Sequence, residues 1–493
     1  MAVFQNNLLA GAGAQSSDST YAIDQSIRYN DDDSPILKKT YSGAGTEETF
    51  TLSMWVKRGN TGAGLGASNL GLTLFSGGAD VSNYGEIVFR SSGHSTQDCL
   101  EFYNSTSGST NMMLKTNRLF RDPSAWYHLV FVMDTTNAVS SERLRMYING
   151  VRETSFATET YPAKDTVPNF NTATEHGIGG FAVGTDTRFF DGYLAEIVFL
   201  DGTATDCNSF GEFNSSGIWI PKDVSGLTFG TNGFYIDGRD SADLGDDESG
   251  NGNDFTTSGL AAHDQVPDSP TNSFCTINPI YADQTGANDL TLTEGNLEAA
   301  GTSSSFDMKG FTFNVPKSGK WYMEYTIGGG YDGFGFCVVG QEGTITPSGN
   351  GLGQLSVAQG GGIQYNGWRN GGSVTVTMAT FTSGHIHQVA IDVDNGKFYY
   401  GIQNTYYAAD GGTDGNPSAG TNHTSTFDFA GNDVVLMTAV TTDSNPEHWN
   451  FGQNGTFNGT VTAQGNSDGG GVGNFYYAVP TGYKALCTKN VGS

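Results

Sequence analysis

Two antiparallel β-sandwiches in tandem, of jelly-roll type, are the all-β architecture that this sequence predicts, and three observations predict it. Gly occupies 70 of 493 positions, about twice its usual share of roughly 7%. Charged residues make up 15%, against about 25% in an average domain. Polar surface must then come from Ser, Thr, Asn and Gly, the turn formers, beside 31 Phe and 22 Tyr that favour strands. Runs of period-2 alternation recur between Gly, Asn and Asp clusters along the chain. One Pro/Asp/Asn-rich stretch, HDQVPDSPTNSFCTINP (263–279), interrupts them and reads as a connector.

The first domain is expected over 20–262. Its clearest strands are FTLSMWVKR (50–58), GEIVFRSS (85–92), CLEFYNS (99–105), WYHLVFVMD (126–134), RLRMYINGVRE (143–153) and DGYLAEIVFLDG (191–202). In WYHLVFVMD, Tyr127, Leu129, Phe131 and Met133 share one face and Trp126, His128, Val130 and Val132 the other, so both faces are apolar enough to be covered. Asn149-Gly150 supplies the positive φ angles of a type I′ hairpin. From about residue 203 the alternation loosens. No amphipathic helix with good caps is visible.

The second domain is expected over 280–493, with strands FTFNVP (311–316), KWYMEYTIGG (320–329), FGFCVVG (334–340), HQVAIDVD (387–394), KFYYGIQN (397–404), DVVLMTAVTT (433–442) and HWNFGQN (448–454). Asn395-Gly396 reads as a second hairpin like that at Asn149-Gly150. Long Gly-rich loops between strands, such as 340–362, are where a rigid sandwich commonly carries binding.

Net charge is −28, from 23 basic and 51 acidic residues, with no Lys/Arg cluster. Nucleic acid is excluded as a partner on that ground. No run reaches the roughly 18 apolar residues of a membrane span, so no membrane insertion is expected, and MAVFQNNLLAGAGA lacks the cationic start of a secretory signal. Residues 1–19, apolar and then flexible, read as a docking arm. Cys99, Cys207, Cys275, Cys337 and Cys487 are widely spaced and odd in number, so they read as buried or free thiols in a chain made in a reducing cytosol.

Catalytic patterns are missing. A glucanase strand of this type places carboxylates at alternate positions, where a retaining mechanism needs them about 5 Å apart. Glu196 with Asp201 has odd spacing, Glu101 and Glu324 stand alone, and Asp392 and Asp394 flank a turn. No nucleophile elbow or phosphate loop occurs. The expectation is a non-enzyme. His385 and His387 share a strand face, with His423 a third candidate, but polar residues at a strand start explain the pair as well as a metal does.

FTLSMWVKRG, WYHLVFVMDTTN, RLRMYINGVRE and FDGYLAEIVFLDG, in that order, resemble a laminin-G-like domain of the concanavalin A-like lectin superfamily. GKWYMEYTI and HQVAIDVDNGKFYYGIQN resemble a SPRY-type sandwich. The layout is also similar to virion proteins of tailed bacteriophages, in YAIDQSIRYNDDDS, FGTNGFYIDGRDSADLGDDESGNGNDF and PTGYKALCTKN. This resemblance implies a structural protein of the particle surface, assembled in the host cytoplasm as a tail fibre, spike or decoration. It further implies other virion proteins and a host-surface carbohydrate as partners, and a homo-oligomer, most often a trimer. An architectural cement and a polysaccharide depolymerase are the rival readings.

Two stretches supply candidate site residues. IDGRDSADLGDDESGNGNDF (236–255) fits an EF-hand at Asp247, Ser249, Asn251 and Gly252, but Ser258 stands where a bidentate Glu is required. Its SGNGND core looks like a tight turn near the start of many laminin-G-like jelly rolls. The same resemblance implies rim calcium, for which Asp240, Asp243, Asp246 and Asp247 would supply oxygens. Both readings stand at this point. GGGIQYNGWRNGGS (360–373) reads as a Gly-rich loop in which Tyr365, Trp368 and Arg369 would meet a sugar ring or a partner surface. The alternative is that Trp368 plugs the end of the second sandwich.

Overall fold

Alternation with both faces apolar produces strands that are covered on both sides, and the fold is built around that fact. The computed structural model describes residues 21–61, 71–91, 96–184, 187–281, 290–301, 307–328, 333–338, 360–364, 367–370, 373–428, 433–440 and 445–491. The arm expected over 1–19 lies outside them. The chain divides into two units, Met1–Asn272 and Ser273–Ser493.

The first unit is a pair of eight-stranded sheets. One runs Val151–Arg152, Leu144–Ile148, Trp126–Asp134, Thr49–Arg58, Gly192–Asp201, Ser26–Tyr29, Gln265–Val266, with Phe234–Ile236 also on Gly192–Asp201. The other runs Phe156–Thr160, Ser109–Leu119, Cys99–Thr106, Asn83–Arg90, Gly71–Asp80, Glu175–Ile178, Ile36–Thr40, Thr256–Ser258. Phe50, Leu52, Met54, Leu129, Phe131 and Met133 of the first sheet pack against Leu72, Ile87, Phe89, Leu100, Phe102 and Leu114 of the second. The first sheet's other face, with Trp55, Trp126, Val130 and Val132, is sealed by Cys207, Phe210, Trp219, Val224 and Phe229. The loosened segment after residue 203 is therefore a lid on that face. Asn149 and Gly150 have φ of 48° and 78°, the angles of the expected type I′ turn.

The stretch expected to be a connector, 263–279, is shared between the units. Gln265–Val266 pairs with Ser26–Tyr29, and Asp268, fully buried, accepts from Lys57 Nζ at 2.8 Å and Trp126 Nε1 at 3.1 Å. Phe274 and Ile277 bridge to Cys487 and Phe311 in the second unit. The Pro and Asp content that reads as a linker closes one sheet and anchors a buried ion pair.

The second unit has a nine-stranded sheet centred on Lys320–Thr326, Ile386–Asp392 and Lys397–Ile402, and a six-stranded sheet from Asp307–Gly310 to Ser373–Thr377. Tyr325, Trp449 and Phe398 of the first meet Phe334 and Phe336 of the second, with the Tyr325 and Trp449 rings stacked at 4.4 Å. Tyr322, Ala390 and Tyr399 on the opposite face are covered by Phe475, Tyr483 and Cys487. Three expectations are corrected. FTFNVP makes only isolated bridges, Phe311 to Ile277 and Val315 to Val434, and so has no continuous partner strand. The turn before Lys397 spans four residues, Val393–Gly396, and of these only Gly396 has positive φ, so it is not a copy of the Asn149-Gly150 turn. The segment 360–373 contributes two strands, Gly360–Gln364 and Gly367–Asn370, that pair with each other, and is not a single Gly-rich loop.

Among the described residues the helix is a single turn, Thr488–Val491, with a few 3₁₀ segments, and no helix is long and apolar enough to cross a membrane. Cys99, Cys207, Cys275 and Cys487 are buried free thiols; burial raises Cys99 and Cys207 to about 11, which makes them inert.

Candidate functional site

The outer face of the Gly71–Asp80 sheet is where polar chemistry concentrates. Register aligns Val88, Glu101 and Lys115 in one cross-strand row and Ser76, Glu86, Tyr103 and Met113 in the next. Alternation puts Ile87, Phe89, Leu100, Phe102 and Leu114 inward, so these polar residues must face outward. They satisfy one another. Glu86 Oε1 accepts from Thr73 Oγ1 at 2.7 Å and Oε2 from Arg188 Nη1 at 2.8 Å. Arg90 Nε donates to Glu101 Oε2 at 2.7 Å, and Lys115 Nζ lies 3.4 Å from Glu101 Oε1. The carboxylates lie beneath, fully buried, and the cations above them, Arg188 being the most open.

Aromatic rings border this network. Tyr84 and Tyr103, both half-buried, sit diagonally across paired strands with ring centroids 5.5 Å apart. Phe181 meets Tyr84 edge-on at 5.1 Å, and the Arg188 guanidinium lies 4.4 Å over the Phe181 ring. Burial and the neighbouring Glu86 push the Tyr84 phenol up to about 12, so it remains a donor. Arg188 has φ of 53°, a left-handed conformation that costs on the order of 1 kcal/mol and persists where surroundings dictate it. The Thr73 amide, donating to the Arg188 carbonyl at 2.9 Å, is one such constraint. Flat rings beside side chains whose hydrogen-bonding groups are already fixed can stack on and hydrogen-bond a polar cyclic ligand with little ordering cost.

Other expected positions resolve individually. Asp247 is buried and accepts from Tyr235 N (2.9 Å), Ser249 N (2.9 Å), Ser249 Oγ (2.8 Å) and Asn253 N (2.8 Å). Asp240 and Asp243 cap the amides of Ala242 and Gly245, while Asp246 is half-buried. The geometry is that of a turn in which side chains satisfy backbone donors. Among the described residues no three His, Cys, Asp or Glu side chains are grouped to hold a metal ion. Tyr365 lies outside the described residues, as do the side chains of Trp368 and Arg369; the backbone of the latter two belongs to the strand Gly367–Asn370.

The carboxylates considered for catalysis are dispersed. A β-bulge between Ala195 and Val198 gives Glu196 a φ of 48° and turns it to the outer face of its sheet. There Tyr21 Oη donates to it at 2.9 Å, and burial raises it to about 8. Asp201 instead accepts from Thr46 N, Asn171 Nδ2 and Asn232 N. Glu324 accepts from Tyr476 N, Tyr477 N and Tyr322 Oη. His387 is buried, its Nδ1 2.5 Å from Tyr400 Oη, and burial lowers it to about 3.

Sequence reasoning missed the outer face. Its signal was present in GEIVFR and CLEFY, where Glu86, Arg90, Glu101 and Tyr103 alternate with inward apolar residues; only the register shows that Glu86, Arg90, Glu101 and Lys115 meet.

Residues 36–207, which contain this face, match the family described as the concanavalin A-like lectin/glucanases superfamily, in its laminin G form. The first unit thus carries a laminin G/concanavalin A-like lectin domain. Among solved structures the chain is similar to domains LG4-5 of the mouse laminin alpha1 chain, at 9% identity over 86% of this chain and 84% of that one, TM-score 0.29. It is also similar to the SPRY domain of human HERC1, at 12% identity over 35% and 96%, TM-score 0.24. A third is tailspike protein 2 of Escherichia coli O157:H7 bacteriophage CAB120, at 15% identity over 35% and 22%, TM-score 0.24. Scores this low transfer no function. No curated protein matches the chain.

Proposed function

We propose that this chain is a non-catalytic virion protein of a tailed bacteriophage that displays its lectin-like sandwich on the particle surface to hold host-surface carbohydrate. The observation that carries the binding reading is the Tyr84–Tyr103 ring pair beside the Arg188–Phe181 stack, on a face whose polar groups are fixed by ion pairs. The lectin-type family match over the same residues supports it. The non-catalytic reading is supported by Glu196 and Asp201 lying on opposite faces of one sheet. The virion reading, with assembly in the host cytoplasm and a trimeric state, is supported by the layout of sequence motifs alone.

The test is a glycan array with the whole protein and with Tyr84→Ala and Tyr103→Ala. Binding by the wild type that both substitutions abolish, at unchanged melting temperature, is the expected result. A wild type that binds no glycan and no host cell leaves the architectural role. Release of reducing ends from any bound glycan overturns the non-catalytic reading.

A further inference from the structure

We infer that the carbohydrate held on the outer face of the first unit is acidic, and that the Nε–Nη2 edge of Arg188 takes its anionic group. This deepens the carbohydrate-binding reading and rests on it. Arg188 Nη1 donates to Glu86 Oε2 at 2.8 Å, and the guanidinium lies 4.4 Å over the Phe181 ring. The backbone is pinned as well. Thr187 and Phe181 exchange amide hydrogen bonds just before it, and Thr73 N donates to the Arg188 carbonyl at 2.9 Å. Among the described residues nothing accepts from Nε or Nη2, and the side chain is 19% exposed. A guanidinium held in place with one edge uncommitted matches a carboxylate or sulfate and loses little freedom on binding it.

Two other arginines show what such an edge holds in this protein. Arg90 places Nε 2.7 Å and Nη2 2.6 Å from Glu101 Oε2. Arg28 places Nε 3.3 Å and Nη2 3.1 Å from Asp264 Oδ1. Each of those edges is filled by a carboxylate of the chain itself. That of Arg188 instead lies beside Phe181, whose ring meets Tyr84 at 5.1 Å, with Tyr103 5.5 Å further on. Charge on this face also favours an anion, since Arg90, Lys115 and Arg188 lie over two buried carboxylates, Glu86 and Glu101. Asp80, at the turn before Tyr84, spends its oxygens on Ser82 N, Asn83 N and Asn83 Nδ2. The chain's net charge of −28 repels a polyanion at a distance, so the preference has to come from these short contacts.

Binding of the whole protein to matched sugars tests this: oligogalacturonate against its carboxyl-reduced form, sialyllactose against lactose, and sulfated against unsulfated galactan. At least one acidic member should bind about tenfold to a hundredfold more tightly than its neutral counterpart. The sulfated pair tells a sulfate ester from a carboxylate, and a preference in either class supports the inference. Arg188→Lys keeps the charge but not the fork, so it should erase that preference at unchanged melting temperature while neutral sugars still bind. Arg188→Gln, read the same way, serves if the lysine variant melts early. A wild type that binds neutral sugars as tightly as acidic ones overturns the inference and leaves the carbohydrate-binding reading standing. A wild type that binds no sugar removes both. A preference that survives in the folded Arg188 variant overturns the assignment to this residue.

Discussion

The indole Nε1 of Trp219 donates to Nδ1 of His128 at 3.0 Å, while Ser53 Oγ lies 2.8 Å from Nε2 of the same ring. Nδ1 accepts, so Nε2 carries the proton and donates to Ser53. One neutral histidine thus ties its strand to a neighbour and to the lid over the sheet.

Trp219→Phe should keep most of the packing but leave His128 Nδ1 unsatisfied. A loss of roughly 1–3 kcal/mol is expected in urea unfolding.

Burial lowers His128 to about 3 and His176 to about 4 in the first unit, and His387 to about 3 in the second. The unfolded chain takes up protons at these positions below about pH 6.5 while the folded one does not. The stability that these histidines contribute should therefore fall as pH drops from about 6.5 toward 4, against the opposite trend of the raised Glu196 and Glu324 carboxyls. Unfolding midpoints at pH 7, 5 and 4 of the wild type and of His128→Gln check the sign: the variant should lose less stability on acidification than the wild type, with His176 supplying the remainder.

Asp247→Ala removes an acceptor shared by four donors. It should cost roughly 2–4 kcal/mol, with Ser249 and Asn253 losing their anchor. EDTA should leave the wild-type melting temperature unchanged. A drop that calcium restores would reassign the acidic stretch to metal binding.

A chain ended after Asn272 should keep the first unit folded, whereas one ended after Ala262 should not. The shorter chain lacks the closing strand Gln265–Val266 and leaves Lys57 and Trp126 without Asp268. Lys57→Met in the intact chain should cost about 3–5 kcal/mol by taking the Lys57 cation away from that buried carboxylate. Thermal denaturation of the three proteins decides it.

Gly150→Ala should destabilise by more than about 1 kcal/mol, since its φ is 78° and a Cβ would strike the Trp219 ring. A neutral result would remove Trp219 from the packing of that turn.

The sequence by itself determined the all-β class, most strand positions and the Asn149-Gly150 turn, because each depends on neighbours two residues away or on local φ. WYHLVFVMD already sorted Leu129, Phe131 and Met133 from Trp126, Val130 and Val132, and these are the two packed faces observed. Only the tertiary structure decided where residues distant in sequence meet. It joined Glu86 to Arg188 and Lys57 to Asp268, made a lid of the irregular segment after residue 203, and turned an apparent linker into a closing strand. The physical reason is that register and burial are set by the whole sheet: alternation says which way a side chain points, but only the pairing of strands says what it meets there.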